Sequence, residues 1–476
     1  MIKALENMSR MWYNKVGYAY PSLFLCVRKG SDRLKRLGLA ALSAACVLLT
    51  GCSALNFSVE GLVDAPKVTK EQEEIHQALI ESVGSNITLK YPRNGDYRSA
   101  YVIANIDDEP DSEAIVFYEY KDNVKDNGMR INVLDTDEDG KWHSVKELHG
   151  AGTDIDKVMI STFGKKSGDL VVVGYQNPAT DDKTLEIYSY DQGTFKKVGT
   201  DTYSVLETMD INADGTKELL TVQKTVNPET EKITSRASIL SMENGELKRE
   251  HTIDMCDNVS TYVKAVRGMI DGGRSAVFID STTAEGLMQT EVVYYRYSNL
   301  QNPIQQSKER LLPRCTRPVG YYCTDVDGDT VVEIPSAKPM LGYENAVADE
   351  MLYMTTWSVY KDFYTLEEKY TGYYSIPNGF FLAFPKRWAD KVTVRRDNDT
   401  GDVVCYKYSG DINTSTTELV RFCSATKNNA DELEKKGYEL VDTRGQLQYF
   451  VKFPKDTQDQ LVLTIDEVKN NFYIID

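Results

Sequence analysis

The feature that most constrains the fold is a short acidic pattern in the middle of the chain. In the segment MDINADGTKELL, Asp210, Asn212 and Asp214 alternate, Gly215 follows, and Glu218 begins an apolar run. Short oxygen-bearing side chains at alternate positions repel one another unless a cation or several N–H donors lie among them. The pattern therefore indicates either an Asx-rich turn without metal or a loop that holds a metal ion.

This pattern opens a unit that recurs five times, at intervals of 49 to 58 residues. The units begin NIDDEPDSEAIVFY, STFGKKSGDLVVVGY, DINADGTKELLTV, GMIDGGRSAVFID and DVDGDTVVEIPSA, and their key positions are Glu113, Asp169, Glu218, Ala276 and Glu333. Each unit continues through a strand and a second hairpin, which makes about four strands. We predict a mainly β fold: a β-propeller of about five four-stranded blades, or six if residues 85–95 and a late strand complete another.

The residues of the repeat resemble the FG-GAP/VCBS family of propeller repeats, which includes the integrin-α heads. The family pattern is D-x-[DN]-x-D-G-x-x-[DE] followed by an apolar strand, and the resemblance spans roughly residues 95–366. It implies structural calcium in the loops, because calcium takes six to eight oxygen ligands. The ligands that we predict are Asp210, Asn212, Asp214, the carbonyl of Thr216 and Glu218 in the third unit, and Asp325, Asp327, Asp329 and Glu333 in the fifth.

The other units match this pattern less well. In the fifth unit, Thr330 stands where glycine is expected. The first unit has a weaker set of oxygen side chains that Pro110 interrupts, and the second and fourth units lack the ligands. The segment DTDEDGKW at 135–142 looks like the start of an EF-hand, but Lys146 stands where the closing glutamate belongs. We interpret it as a solvated turn of an outer hairpin.

The N-terminus reads as a targeting segment. Basic residues precede the uncharged run LGLAALSAACVLLT, which is shorter than the ~20 residues that span a bilayer. The run ends in Leu-Thr-Gly-Cys and resembles the bacterial lipoprotein signal, which implies that Cys52 is lipidated after removal of residues 1–51. A plain secretory signal is the alternative. We expect an extracytoplasmic protein, anchored to a bacterial membrane by the lipid on Cys52 through a tether at 52–68.

The remaining segments flank the propeller. The stretch TKEQEEIHQALIESVG begins with the capping box Thr69 and Gln72, which predicts one short amphipathic helix within residues 69–94. Residues 367–476 mix strand-like and helix-like segments, which predicts a small C-terminal α/β domain, and their F-P-x-x-W start weakly resembles the PsbP/Mog1-like fold. An α+β cap on the propeller is the alternative.

Two cysteine pairs, Cys315 with Cys323 and Cys405 with Cys423, can form disulfides or remain buried thiols.

Charge and motifs restrict the function. The chain carries 72 acidic against 55 basic residues, and this excess excludes phosphate backbones as partners, so we expect no nucleic-acid binding. The four histidines occur in no H-E-x-x-H motif, and no Gly-x-Ser-x-Gly elbow is present. We therefore expect a binding or scaffold protein without enzymatic activity, whose partner is a protein or a wall polymer. The alternative is an extracytoplasmic polysaccharide hydrolase or lyase, and tyrosine-rich runs at 117–120, 294–297 and 321–322 can stack sugars in either case.

Overall fold

The computed structural model describes residues 69–475, except 108, 122–127, 163–168, 177–182, 192, 244–245, 362–364 and 456–457. The signal segment, the tether and Cys52 lie outside the described residues. The described part is mainly β, as predicted, and its strands form six antiparallel sheets, which we name A to F in chain order.

Helix α1 (Lys70–Val83) begins at the predicted capping box. The Thr69 side chain accepts a hydrogen bond from the Gln72 N–H, the Gln72 side chain accepts one from the Thr69 N–H, and the helix ends at Gly84. Its buried face, Ile75, Ala78 and Leu79, packs on sheet A beside Val116 and Tyr118. Burial of this apolar face holds the helix on the sheet, because a helix of this length is marginal alone.

Sheets A to E follow the five sequence units. Sheet A contains β1 (Ile87–Leu89), β2 (Tyr101–Ala104), β3 (Glu113–Tyr120), β4 (Met129–Thr136) and β5 (Trp142–His149). Sheet B contains β6 (Asp154–Ser161), β7 (Leu170–Gln176), β8 (Lys183–Asp191) and β9 (Thr194–Tyr203). Sheet C contains β10 (Val205–Met209), β11 (Glu218–Val226), β12 (Ile233–Glu243) and β13 (Glu246–Asp254).

Two further sheets complete the series. Sheet D contains β14 (Val259–Ile270), β15 (Arg274–Thr283), β16 (Leu287–Arg296), β17 (Asn299–Gln301) and β18 (Arg317–Pro318), and helices α2 (Pro303–Gln306) and α3 (Lys308–Cys315) lie before β18. Sheet E contains β19 (Glu333–Pro339), β20 (Tyr353–Tyr360), β21 (Leu366–Ser375), β22 (Phe380–Ala383) and β28 (Phe472–Ile474).

The repeat register is the one that the sequence predicts. Glu113, Glu218 and Glu333 are the first residues of β3, β11 and β19. In sheets A to D, the strand at the key position of the repeat is preceded by an antiparallel strand with which it pairs. In sheet E, the isolated bridge between Thr324 and Glu333 takes the place of that preceding strand. The strands of such a unit carry apolar side chains on both faces of the sheet. Each sheet therefore needs a packed neighbour on each side to bury them.

Neighbouring sheets bury these faces in chain order. Separate apolar clusters join A to B, B to C, C to D and D to E. At the start of the series, however, the outer face of sheet A is covered by helix α1. A closed ring would place sheet E on that face, so the packing of the five sheets does not close into the predicted ring.

The C-terminal part is joined to sheet E. Sheet F contains β23 (Val392–Arg396), β24 (Val403–Lys407), β25 (Glu418–Thr426), β26 (Glu439–Arg444) and β27 (Leu447–Lys452), with helices α4 (Ala430–Lys435) and α5 (Ile465–Asn471) beside it. Sheets E and F share one apolar cluster around Trp388 and Phe472. The sequence placed a boundary between residues 366 and 367, but β21 runs across it and β28 returns to pair with β22.

Two smaller expectations concern the thiols and membrane-spanning segments. The five cysteines in the described part, Cys256, Cys315, Cys323, Cys405 and Cys423, are free thiols rather than the possible disulfides. Within the same described residues, none of the helices combines the length and apolar character needed to cross a bilayer.

Candidate functional site

The acidic loops share one hydrogen bond that ties each loop to its sheet. The backbone N–H of Ile106 donates to Glu113 at 2.8 Å, that of Ile211 to Glu218 at 3.0 Å, and that of Val326 to Glu333 at 2.7 Å. In each case the donor lies seven residues before the glutamate. The key glutamate of the repeat therefore satisfies a loop N–H that would otherwise be unpaired, a role that the sequence pattern does not reveal.

The third-repeat loop, residues 210–218, brings the predicted side chains together. Carboxylate oxygens of Asp210, Asp214 and Glu218 lie within 4.8 Å of one another. The amide Nδ2 of Asn212 donates to Asp214 at 3.0 Å and to Glu218 at 2.8 Å, and so lies between these carboxylates. The N–H of Thr216 donates to Asp214, and a role for the Thr216 carbonyl stays a prediction.

The carboxylates of this loop differ in electrostatic environment. Burial raises the pKa of Glu218, and the nearby charges of Asp214 and Asp210 raise it further. The hydrogen bond from the Thr216 N–H lowers the pKa of Asp214. The loop therefore concentrates negative charge around a half-buried carboxylate, which is an arrangement that a divalent cation would stabilise.

The fifth-repeat loop, residues 325–333, has a similar backbone. Both loops have left-handed residues at the same two positions before the glutamate: Ala213 and Gly215 in the third repeat, Gly328 and Thr330 in the fifth. Each loop thus places glycine at one of the two positions and a strained residue at the other. Thr330, with φ of 73°, adopts the conformation that the sequence assigned to glycine.

The side chains of the fifth-repeat loop are differently partnered. Its predicted ligands also converge, with oxygens of Asp325, Asp327 and Glu333 within 4.8 Å of one another. The ammonium group of Lys369, on β21, lies 2.8 Å from Asp327, 2.7 Å from Asp329 and 2.8 Å from Glu333. No local motif marks this lysine, because it comes from a strand 36 residues beyond the glutamate.

The first-repeat loop, residues 105–113, follows neither arrangement. Pro110 occupies the position of Gly215, and proline cannot adopt a positive φ. Glu113 is 1% exposed, and burial raises its pKa to about 7.

The EF-hand-like segment is, as predicted, the turn between β4 and β5. There, Asp137 accepts hydrogen bonds from the N–H groups of Asp139 and Lys141.

A polar pocket of about 520 Å³ lies where the first strands of sheets B, C and D approach one another; we call it the inner-strand pocket. Its walls are held by ion pairs: Lys157 with Glu207 at 2.7 Å and Lys183 with Asp156 at 3.0 Å. Asp156 is 2% exposed; burial would raise its pKa, but Lys183 and hydrogen bonds hold the pKa below its ordinary value. No sequence motif marks this pocket, because its residues come from separate units.

The pocket also contains a cation that forms no ion pair with the described residues. Lys264, on β14, lies in the pocket wall with its Nζ 5.5 Å from the ring centroid of Tyr322. Arg267, three residues further along β14, contacts Glu207 at 3.6 Å and Asp96 at 3.5 Å. Of the tyrosines in the three predicted runs, Tyr322 is 36% exposed and Tyr297 71%, whereas Tyr118, Tyr294 and Tyr321 are buried.

Comparison with known proteins gives similarity to solved structures but to no family model or curated sequence. No family model matches the chain, and no curated protein matches it. The structure is similar to a solved structure described as an exotype rhamnogalacturonan lyase, YesX, with a TM-score of 0.27 and 10% identity. The similarity covers 70% of this chain and 73% of the lyase.

Proposed function

We propose that the chain is a lipid-anchored, extracytoplasmic binding protein without enzymatic activity, and that it takes an anionic glycan in the inner-strand pocket. The proposal rests chiefly on Lys264, which lacks a carboxylate partner among the described residues although the protein carries a net charge of −17. A cation left without a counter-charge on the wall of a polar pocket is suited to an anionic ligand.

The surroundings of Lys264 support a sugar rather than a peptide. The exposed ring of Tyr322 lies beside the ammonium group and offers a flat surface against which a sugar ring can pack. The volume of about 520 Å³ is within the range of ligand sites and suits one or two sugar units. The paired side chains Lys157, Glu207 and Asp156 fix the walls before a ligand arrives, which limits the entropy lost on binding.

A pair of polymers that differ only in charge tests this proposal. We expect carboxymethyl dextran fragments to bind the full-length chain in detergent, and unmodified dextran of the same length not to bind. Lys264→Met should weaken binding at least tenfold, whereas Lys196→Met, an exposed lysine on β9, should not. Equal binding of both dextrans, or no effect of Lys264→Met, would contradict the proposal, and tighter binding of polyglutamate would favour an acidic protein partner.

The alternative function is a polysaccharide hydrolase or lyase in the same compartment. Release of reducing ends or of unsaturated products from an acidic polysaccharide, lost in Lys264→Met, would favour it over a binding role. Binding of the carboxymethyl dextran without any turnover supports the non-enzymatic function.

The anchor and the calcium ion are further parts of the proposal. We expect Cys52→Ser to move the protein from the membrane fraction to the medium or periplasm, since two or three acyl chains anchor far more firmly than one. We also propose that the third-repeat loop binds one structural calcium ion that ties the loop to β11, and that the five sheets act as the blades of an incomplete propeller. The acidic cluster of Asp210, Asp214 and Glu218 supports the calcium site.

A further inference from the structure

We propose that the ammonium group of Lys369 takes the place of the metal ion in the fifth-repeat loop, so that this loop binds no calcium. The sequence predicts calcium ligands there as well as in the third repeat. The inference is independent of the glycan-binding function, and it concerns which repeats use a metal and which use a cation from the chain itself.

The position of Lys369 carries the inference. Its Nζ lies within 2.8 Å of three carboxylates that the sequence assigned to calcium, those of Asp327, Asp329 and Glu333. Glu333 is fully buried and Lys369 is 23% exposed, so this pair of charges is largely shielded from water, whereas Asp329 is 46% exposed. An ammonium group and a divalent ion cannot both lie among these oxygens, because their charges would repel at such short distances.

Local backbone structure explains how the lysine reaches the loop. In the pairing of β20 with β21, Ser358 faces Glu368 and Trp357 faces Tyr370, so Lys369 is the extra residue of a β-bulge. A bulge redirects a side chain and is common beside functional sites. Tyr370 donates a hydrogen bond of 2.6 Å to Asp327 and helps to hold the cluster.

The corresponding strand pair of sheet C has its bulge at a different position. There, Leu240 faces Arg249 and Ile239 faces Glu250, and the register shifts only between Ile239 and Ala237. Arg249 pairs with Asp201 of sheet B at 2.5 Å. In the third-repeat loop, the amide of Asn212 and backbone N–H groups of the loop donate to the carboxylates. None of the ion pairs found among the described residues joins these carboxylates to a lysine or an arginine.

One carboxylate oxygen, Oδ1 of Asp327, is buried and accepts no hydrogen bond from the described residues, so it remains available to a metal once the lysine is removed.

Counting bound calcium in the purified full-length chain tests the inference. We expect one ion in the wild type and two in Lys369→Met, with the second ion removed again by adding Asp329→Asn. Lys361→Met is the matched control, because Lys361 lies at the end of β20 and pairs with Asp271 and Glu367 outside the loop. It should leave the number of ions at one.

Other outcomes separate this inference from the proposed function. In the wild-type background, Asp329→Asn should not change the number of ions, and loss of an ion there would overturn the inference even if Lys369→Met fails to fold. A folded Lys369→Met that binds no additional calcium would also overturn it. The ion of the third repeat is identified separately, as the one that Asp214→Ala removes. If the wild type lacks that ion, only the calcium part of the proposed function is contradicted.

Discussion

The third-repeat and fifth-repeat loops have similar backbones but balance their charge differently. Both place left-handed residues three and five positions before a glutamate that accepts a loop N–H. In the fifth repeat, Lys369 neutralises the carboxylates, whereas in the third repeat they surround an amide. The two loops therefore share a backbone geometry whether or not a lysine lies among their carboxylates, and the bulge at Lys369 brings that lysine to the fifth-repeat loop.

The largest expected effect is loss of the lysine. In chelator, Lys369→Met should lower the free energy of unfolding by about 2–3 kcal/mol, because it leaves fully buried Glu333 beside two other carboxylates without a counter-ion. Denaturant unfolding measures this change. Lys361→Met, in solvent-exposed pairs, should cost much less, because exposed ion pairs contribute little to stability. Equal costs would mean that the ion pairs of Lys369 add no more than surface pairs do.

The second prediction concerns the metal in the third repeat. Calcium at one hundred times its dissociation constant should stabilise the wild type by about 2.7 kcal/mol, and Asp214→Ala should abolish this gain. Asp139→Ala, in the acidic turn between β4 and β5, is the control and should keep it. A thermal melt that calcium does not change would leave the third-repeat loop as an Asx-rich turn.

The third prediction uses the first-repeat loop, which has the buried glutamate but not the lysine. Burial raises the pKa of Glu113 from 4.5 to about 7, so the folded state binds its proton more tightly than the unfolded state. Glu113 therefore destabilises the fold above pH 7, and this cost is lost as pH falls towards 4.5. Glu113→Gln should stabilise the protein by about 1–2 kcal/mol at pH 8 and by nothing near pH 4.

The matched variant in the fifth repeat should gain less. Burial raises the pKa of Glu333 to about 7 as well, although the hydrogen bond from Lys369 lowers it. Glu333→Gln relieves this cost of burial but removes a partner of Lys369, so we expect a smaller stabilisation at pH 8 than Glu113→Gln gives. The comparison is a pair of pH-dependent melts in chelator. An equal gain from both variants would indicate that Lys369 does not compensate the charge of Glu333.

The smallest expected effect is loss of one hydroxyl group. Tyr370→Phe removes the hydrogen bond to Asp327 and should cost about 1 kcal/mol in chelator. It should not alter the number of bound calcium ions or the calcium-dependent gain in stability. A change in the calcium response would show that the two loops are coupled.

Local patterns predicted much of the fold. The spacing of the key residues located the first residue of β3, β11 and β19, and the capping box located the start of α1. Such features depend on neighbours a few residues apart, so they are readable from the chain. The joining of β28 to β22 was not predicted, because 89 or more residues separate the paired positions and a three-residue strand has no period to detect.

The sequence by itself determined where oxygen side chains cluster, because each acidic loop draws them from nine consecutive residues. Only the tertiary structure decided what balances their charge. Lys369 reaches the fifth-repeat loop through a bulge two strands away, and Lys264 on β14 meets Tyr322 from the segment between β18 and β19. The physical reason is that Coulomb interactions depend on distance in space, and sheet packing brings together charges that are far apart along the chain.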